Sequence, residues 1–306
     1  MINKNMALVF CKGFLMGIAD LIPGVSGGTI AFITGIYDKL LETVAAIDKN
    51  LIKDVVTLNF KNVSEKIDLK FIIPLAIGIL GAMLSLARLM HYLINYHPVP
   101  TWGLFLGLIS ASIIVIARDL KDRKSPVALA MVALGGAIGF AITQLVPVTT
   151  PTDLWFIYIC GLIGITAMIL PGISGSFILL ILGKYEYVTG ALKNPFQEGA
   201  LIIIGVFALG CLTGLVSFSK VLNFFMKNFR ERTMAFLVGI LLGTLSKVWP
   251  WREVTKSVVI RGKTKVLSES LYFPTALTTE DILAVALVVI GFLFVFILER
   301  SANRNN

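Results

Sequence analysis

The chain has 306 residues, of which 57% are hydrophobic and 15% are charged, and its mean hydropathy is +0.87. A water-soluble protein of this length has too little interior to hide so much apolar surface. The formal net charge of +9 comes from lysines and arginines that gather in short loops beside apolar segments. That pattern is typical of membrane topology. The composition therefore predicts an integral membrane protein and argues against a nucleic-acid partner.

The first apolar segment is interrupted by the sequence Pro-Gly-Val-Ser-Gly-Gly-Thr. Proline removes a backbone donor and clashes inside a helix, and glycine frees the backbone, so we expect the helix to break there. The half-helix after the break then starts with unpaired N–H groups and a positive dipole end, which attract anions. The candidate substrate-binding residues of this first motif are Pro23, Gly24, Val25, Ser26, Gly27, Gly28 and Thr29.

Asp20 stands three residues before Pro23, in the same apolar segment. An ionisable residue inside a membrane needs a functional or a pairing reason. Asp20 is therefore a candidate for taking up a coupling proton or sodium ion, and pairing with Arg88 or Lys12 is an equal alternative. We expect no other cofactor and no metal site.

Further apolar segments suit spanning helices, because about 20 helical residues cross a ~30 Å hydrocarbon core. They comprise residues 71–96, 102–117, 127–146, 200–219, 234–248 and 282–298. Arg88 lies inside the first of them, where a permanent charge costs about 2.5–3.5 kcal/mol. Its guanidinium matches phosphate bidentately, so we expect a contact with an anion, with snorkelling to the interface as the alternative. His91, one turn later, is a candidate proton relay or a plain hydrogen-bonding residue.

A second motif, Pro-Gly-Ile-Ser-Gly-Ser, repeats the first after 148 residues and also pairs Tyr37 with Tyr185. A second aligned block pairs Arg88 with Lys220, which joins the candidate binding residues. The halves are therefore related repeats, residues 1–148 and 149–306. Glycine and serine alone would indicate close helix packing, but two copies that each contain a helix-breaking proline favour binding. The candidates in the second motif are Pro171, Gly172, Ile173, Ser174, Gly175 and Ser176.

Three groups of basic residues predict the topology, because cytoplasmic loops are rich in lysine and arginine. They lie in residues 49–70, 118–124 and 220–232. All three basic groups lie on the same side of the membrane only if each motif returns as a re-entrant hairpin. If each motif were a broken span that crosses the membrane, the groups would lie on different sides. The sequence thus favours an all-α polytopic membrane protein of two inverted repeats, each a re-entrant helical hairpin plus three transmembrane helices. The basic loop 250–280 falls on the outer side and conflicts with the charge rule.

Two hairpins that enter from opposite faces place both motifs near the middle of the bilayer, a recurring arrangement for transporter sites. The residue pattern alone does not separate a lipid-phosphate carrier from a small inorganic anion channel or transporter. An enzyme such as a lipid-phosphate phosphatase is the weaker alternative, because no nucleophile motif or metal-ligand spacing is visible. A homo-oligomer is compatible with the sequence.

The stretches GIADLIPGVSGGT (residues 17–29) and LPGISGS (residues 170–176) resemble the bacterial polyprenyl-phosphate transporter family, formerly an integral membrane domain of unknown function. The resemblance covers almost the whole chain. It implies a multi-pass protein of the bacterial plasma membrane, with both termini cytoplasmic, that returns undecaprenyl phosphate from the outer to the inner leaflet. The lipid carrier would then be reused for peptidoglycan and other envelope polymers. The resemblance covers the two motifs, and Arg88, Lys220 and Asp20 rest on physical inference.

Overall fold

The computed structural model describes residues 4–21, 25–57, 59–260, 263–275 and 278–303. Pro23 and Gly24 of the first motif therefore lie outside the described residues. In the first half of the chain, the helices are α1 (Lys4–Asp20), α2 (Gly27–Ile33), α3 (Tyr37–Ala45), α4 (Lys49–Val56), α5 (Phe60–Lys66), α6 (Leu69–Tyr96), α7 (Pro98–Asp119) and α8 (Pro126–Thr143).

The second half repeats this order without counterparts of α4 and α5, and it adds two strands. Its elements are α9 (Leu154–Ile169), α10 (Gly175–Ile181), α11 (Tyr185–Lys193), α12 (Ala200–Asn228), α13 (Arg230–Thr244), the 3-10 turn η1 (Leu245–Val248), β1 (Arg252–Ile260), β2 (Lys263–Leu271) and α14 (Thr279–Asn303).

Within the described residues, five helices are long and apolar enough to cross a membrane, namely α6, α7, α8, α12 and α14. The chain is thus a multi-pass membrane protein. The predicted segment 234–248 has 15 residues, and the structure forms a helix of the same length four residues earlier, α13, which continues as the 3-10 turn η1. The expectation of an all-α fold misses the antiparallel pair β1–β2. This pair lies in the loop 250–280, where several β-branched residues favour extended backbone.

Both short half-helices have the same local structure. Each has seven residues and follows a serine with extended backbone, Ser26 or Ser174. Each is followed by a glycine in the left-handed region, Gly35 (φ 68°) or Gly183 (φ 64°). A left-handed residue after a helix turns the chain away at little cost when it is glycine. The 148-residue repeat in the sequence is therefore also a repeat in backbone conformation.

Glycines bring the long helices into close contact, as is usual in membrane bundles. A Cβ on Gly13 of α1 would lie 2.3 Å from the Leu75 oxygen of α6, and one on Gly161 of α9 would lie 2.3 Å from the Phe207 oxygen of α12. Gly107 meets Val288 in the same way, which packs α7 against α14. The pair α8 and α13 packs likewise. The last two long helices of the first half therefore pack against the last two of the second half.

These contacts fix the direction of each helix. The contacting residue numbers rise together in the pairs α1–α6, α7–α14, α8–α13 and α9–α12, so the members of each pair are parallel. The end of the bundle that holds α3, the loop 120–125 and the start of α13 is here called the α3 end. The opposite end, which holds α11, η1 and the two strands, is called the β end. The three basic groups of the sequence all lie at the α3 end or in the part of α12 that approaches it.

Candidate functional site

The two chain breaks meet in the interior. The Ser26 hydroxyl donates to the Met168 carbonyl oxygen at 2.8 Å, and the Tyr37 hydroxyl donates to the Ile169 carbonyl oxygen at 3.0 Å. The last carbonyls of a helix have no partner within it, and in a membrane they must find one elsewhere. Hydroxyls of the first half therefore satisfy the end of α9 in the second half.

A third contact joins the two motifs directly. The Gly172 N–H donates to the Thr29 Oγ1 atom at 2.9 Å, and both residues are buried. Gly172 has φ 85°, a conformation that favours glycine. The neighbouring residues Pro171 and Ile173 are buried as well, and the Ser174 and Ser176 hydroxyls lie 2.8 Å apart in a hydrogen bond.

Replacing Thr29 by Val is expected to destabilise the protein, because the Gly172 N–H then loses its partner inside the bundle. An unsatisfied buried donor costs about 1–3 kcal/mol, and valine keeps the shape of threonine. Thermal unfolding in detergent measures the loss. Thr213→Val is the matched control, since Thr213 lies exposed on α12 and its hydroxyl donates to the Leu209 oxygen of its own helix. Equal stability of the two variants would show that the Thr29–Gly172 bond contributes nothing.

The expectation of unpaired N–H groups at the start of α2 is wrong, because protein atoms accept from the first three of them, whereas the substrate-binding role of the first motif stays a prediction. The Gly27 N–H donates to the Asp20 carboxylate at 2.7 Å, and the Gly28 N–H donates to the Ser26 hydroxyl at 3.0 Å. The Thr29 N–H donates to the Ser26 carbonyl oxygen at 2.9 Å. Asp20 thus occupies, from within the protein, the position predicted for a bound anion. Its predicted pairing with Lys12 is absent among the described residues, since Lys12 donates to the Thr34 carbonyl.

Arg88, His91 and Lys220 lie apart from this meeting point. All three are exposed on the surfaces of α6 and α12. His91 contacts Asn95 of its own helix. In the part of the chain that the structure describes, neither Arg88 nor Lys220 makes an ion pair or a hydrogen bond with either motif. Their predicted role in anion binding stays a prediction.

A cavity of about 580 Å³ opens at the β end. Its walls include Trp102 of α7, Phe177 of α10, Lys247 of η1, and Arg252 and Glu269 of the two strands. A narrow second pocket shares Phe177 and Lys247 with it and reaches Gly172 and Ser174. The cavity therefore lies next to the second chain break.

Two cations and one carboxylate meet in this cavity. The Arg252 Nη1 atom lies 3.3 Å from the Glu269 Oε2 atom, and the Lys247 Nζ atom lies 3.9 Å from it. The Arg252 Cζ atom is 4.5 Å from the centroid of the Trp102 ring, and the Lys247 Nζ atom is 4.7 Å from that of Phe177.

Sequence reasoning missed Lys247 and Arg252 as site residues. The signal that could have found Arg252 was the conflict of the basic loop 250–280 with the charge rule. Basic residues on the outer side need a reason other than topology. Here the structure encloses one of them, Arg252, whose side chain is only 13% exposed.

Comparison with known proteins identifies the family. A family model described as VCA0040-like, undecaprenyl phosphate translocase-like, matches residues 16–266. A polyprenyl-phosphate transporter of Vibrio cholerae serotype O1 is 43% identical over 251 residues, which are 82% of this chain and 80% of the relative. A polyprenyl-phosphate transporter of Staphylococcus aureus is 34% identical over 253 residues, 78% of this chain and 84% of the relative. No solved structure matches significantly. The chain belongs to the undecaprenyl phosphate translocase-like family.

Proposed function

We propose that this protein transports polyprenyl phosphate across the bacterial plasma membrane by alternating access and returns the carrier lipid from the outer to the inner leaflet. Two relatives that cover most of the chain are named polyprenyl-phosphate transporters. The phosphate head moves through the interior of the bundle while the polyprenyl tail stays in the lipid. The protein acts as a carrier and not as an enzyme, and undecaprenyl phosphate is the proposed substrate.

The proposal treats the two halves as inverted repeats with re-entrant hairpins. The fold-back of α2 along α1 supports it, since Asp20 contacts Gly27 while Lys12, two turns earlier, contacts Thr34. In the second half the Lys184 Nζ atom, just after α10, lies 5.7 Å from the Phe156 ring centroid near the start of α9. Helices α1 and α9 start at opposite ends of the bundle, as the parallel pairs with α6 and α12 require.

The depth of the breaks fits this arrangement. Gly17, three residues before the end of α1, contacts Ile79 and Ala82 near the middle of the 28-residue helix α6. Ile165, close to the end of α9, contacts Gly214 at the middle of the 29-residue helix α12. Both chain breaks thus lie about halfway along helices that are long enough to cross a bilayer, the position that transporter sites commonly occupy.

One asymmetry between the halves carries the proposal of alternating access. Helix α3 crosses to the other half and packs on α12, where Glu42 pairs with Lys227, and Asp38 pairs with Arg230 at the start of α13. Its counterpart α11 packs on α12 of its own half, and comparable packing on α6 is absent among the described residues. The equivalent helices α3 and α11 therefore take different positions in the two halves. Helix α3 closes the α3 end, whereas α11 leaves the cavity open at the β end.

The opposite-facing state follows by exchanging these positions, with α11 on α6 and α3 released from α12. The three basic groups near the α3 end support a cytoplasmic position for that end, because cytoplasmic loops are rich in lysine and arginine. The open cavity then faces outward, which suits the collection of a phosphate head from the outer leaflet. The tail cannot pass through a closed interior, so a lateral opening to lipid accompanies the exchange. Transport is either uncoupled or coupled to a proton or sodium ion, and in the coupled case Asp20 is the residue that would bind the ion.

The test is leaflet translocation by the purified protein in liposomes. We expect polyprenyl phosphate to move between leaflets at a rate well above that of protein-free liposomes, and we expect no chloride flux. A parallel chloride assay examines the alternative of a small-anion channel or transporter, which the cationic cavity also fits. Chloride flux without movement of the lipid would overturn the proposal.

A further inference from the structure

The cations of the cavity are incompletely satisfied by the protein. Within the described residues, Arg252 makes one side-chain hydrogen bond, to Glu269 at 3.3 Å, although a guanidinium carries five N–H donors. Lys247 is 3.9 Å from the same carboxylate, too far for a hydrogen bond. Charge-assisted bonds normally have lengths of about 2.7–2.9 Å. The Glu269 carboxylate is therefore too far from both cations for strong hydrogen bonds, and a larger anion between them would make shorter ones.

The charges also leave a surplus. Lys247 and Arg252 together carry two positive charges against one carboxylate, and their side chains are only 29% and 13% exposed. Partly buried cations without full compensation are costly. A phosphomonoester carries about −1.5 to −2 charges near neutral pH and three acceptor oxygens. Such a group matches the two cations, whereas Glu269 supplies half of the compensating charge.

The aromatic rings keep the two cations in place when the carboxylate leaves. Trp102 and Phe177 each lie within cation–π distance of one of them. Stacking on an aromatic face leaves the edge of a guanidinium available to a planar or tetrahedral anion. The cavity wall beside them includes Leu180 and Ile181, which suit the first apolar units of a polyprenyl chain.

We propose that Lys247 and Arg252 bind the phosphomonoester head of the transported lipid, and that Glu269 is the carboxylate that holds this site in the empty protein and is displaced by the phosphate. This proposal rests on the proposed function and locates its substrate. A dianion beside an ionised Glu269 would leave a net negative site, so Glu269 must give up its two ion pairs when the substrate binds. The residue thus sets the affinity of the site by competition.

The experiment measures binding of farnesyl phosphate, a short polyprenyl phosphomonoester, to the full chain in detergent. Lys247→Gln and Arg252→Gln are each expected to weaken binding at least tenfold, which corresponds to about 1.4 kcal/mol or more. Glu269→Gln is expected to strengthen it, because the competitor loses its charge. Matched controls at the same end are Lys193→Gln on α11 and Glu253→Gln on β1, both of which should bind like the wild type.

The two cation variants should weaken binding while Glu269→Gln strengthens it. This difference separates a binding role from a structural one, since mere loss of packing would weaken binding in all three variants. Inorganic phosphate in a competition arm shows whether the site recognises the phosphate alone or the lipid-linked group. Binding should also weaken as pH rises into the alkaline range, because deprotonation of Lys247 removes one of the two positive charges. Lys247→Gln should lack that step.

Unchanged affinity in both Lys247→Gln and Arg252→Gln, or weaker binding by Glu269→Gln, would overturn this proposal. Its failure is distinguishable from that of the proposed function. If the wild type moves polyprenyl phosphate between leaflets and the two cation variants move it equally well, only the location of the site is wrong. If the wild type binds the phosphomonoester as described but moves no lipid, the site stands and the transport function fails.

Discussion

A cross-link between α3 and α12 is expected to abolish transport while headgroup binding persists. The Lys227 Nζ and Glu42 Oε1 atoms of these helices lie 3.3 Å apart, and both side chains are more than half exposed. A short bifunctional maleimide can therefore reach cysteines at these two positions. If α3 must leave α12 for the protein to face the cytoplasm, a covalent bridge prevents that step. The cavity at the β end stays open, so farnesyl phosphate still binds.

The experiment uses a background in which the exposed Cys11 and the partly exposed Cys211 are replaced by serine. The ion pair itself is exposed and contributes little energy, so the two cysteine substitutions alone should leave transport nearly unchanged. The matched control is a cross-link between cysteines at Asp54 and Lys66, a pair 3.1 Å apart at the same end. These residues both belong to the connection between α3 and α6, so bridging them should not stop transport.

Full transport activity in completely cross-linked Glu42→Cys/Lys227→Cys protein would contradict alternating access at this end. Loss of transport in the Asp54→Cys/Lys66→Cys control would instead show that the reagent disturbs the protein generally. Quantitative cross-linking is verified by the mobility of a protein cleaved between the two halves. A linker with a reducible disulfide restores transport on reduction if the lock is specific.

The local features of this fold were predictable from the sequence because they depend on a few neighbouring residues. A proline followed directly by glycine disfavours a continuing helix, and each Pro-Gly pair marks a break that a half-helix follows, although the single Pro74 is accommodated inside α6. The charge rule also predicted that the three basic groups lie at the same end of the bundle. The ends of α13 and the two strands were not predicted, since an apolar segment such as 234–248 does not reveal where its helix begins or changes to a 3-10 turn.

The site was less predictable because its contacts join distant parts of the chain. That Asp20 occupies the start of α2 depends on the return angle of α2, which no residue pattern specifies. Arg88 stood out as a charge in an apolar helix, yet the structure leaves it exposed on α6. Lys247 and Arg252 lie in an ordinary-looking loop sequence, and Glu269 follows 17 residues after Arg252 across the antiparallel pair. Only the fold brings these three charges into one cavity.

Replacing Gly172 by Ala is expected to cause the largest loss of stability and transport among single substitutions in the two motifs. The residue has φ 85°, and an added Cβ would lie 2.7 Å from the Thr244 Oγ1 atom and 3.1 Å from the Leu241 Cδ2 atom. The left-handed conformation costs an alanine about 1–2 kcal/mol, and overpacking adds about 1–3 kcal/mol. Displacing Gly172 also strains its bond to Thr29, which joins the two halves.

A matched control separates the two costs. Gly199, at the start of α12, has φ 78° but nothing within 4 Å of an added Cβ, so Gly199→Ala should lose only the conformational part, about 1–2 kcal/mol. Thr244→Ala in the Gly172→Ala background removes one of the two clashing atoms and should restore part of the stability. Thermal unfolding in detergent and leaflet translocation are measured for all of these variants.

If Gly172→Ala were no worse than Gly199→Ala, the close contact between the second break and α13 would not matter for folding. Normal transport by Gly172→Ala would further show that the break need not keep this shape, because a site that forms at the meeting of two turns depends on both turns holding their geometry.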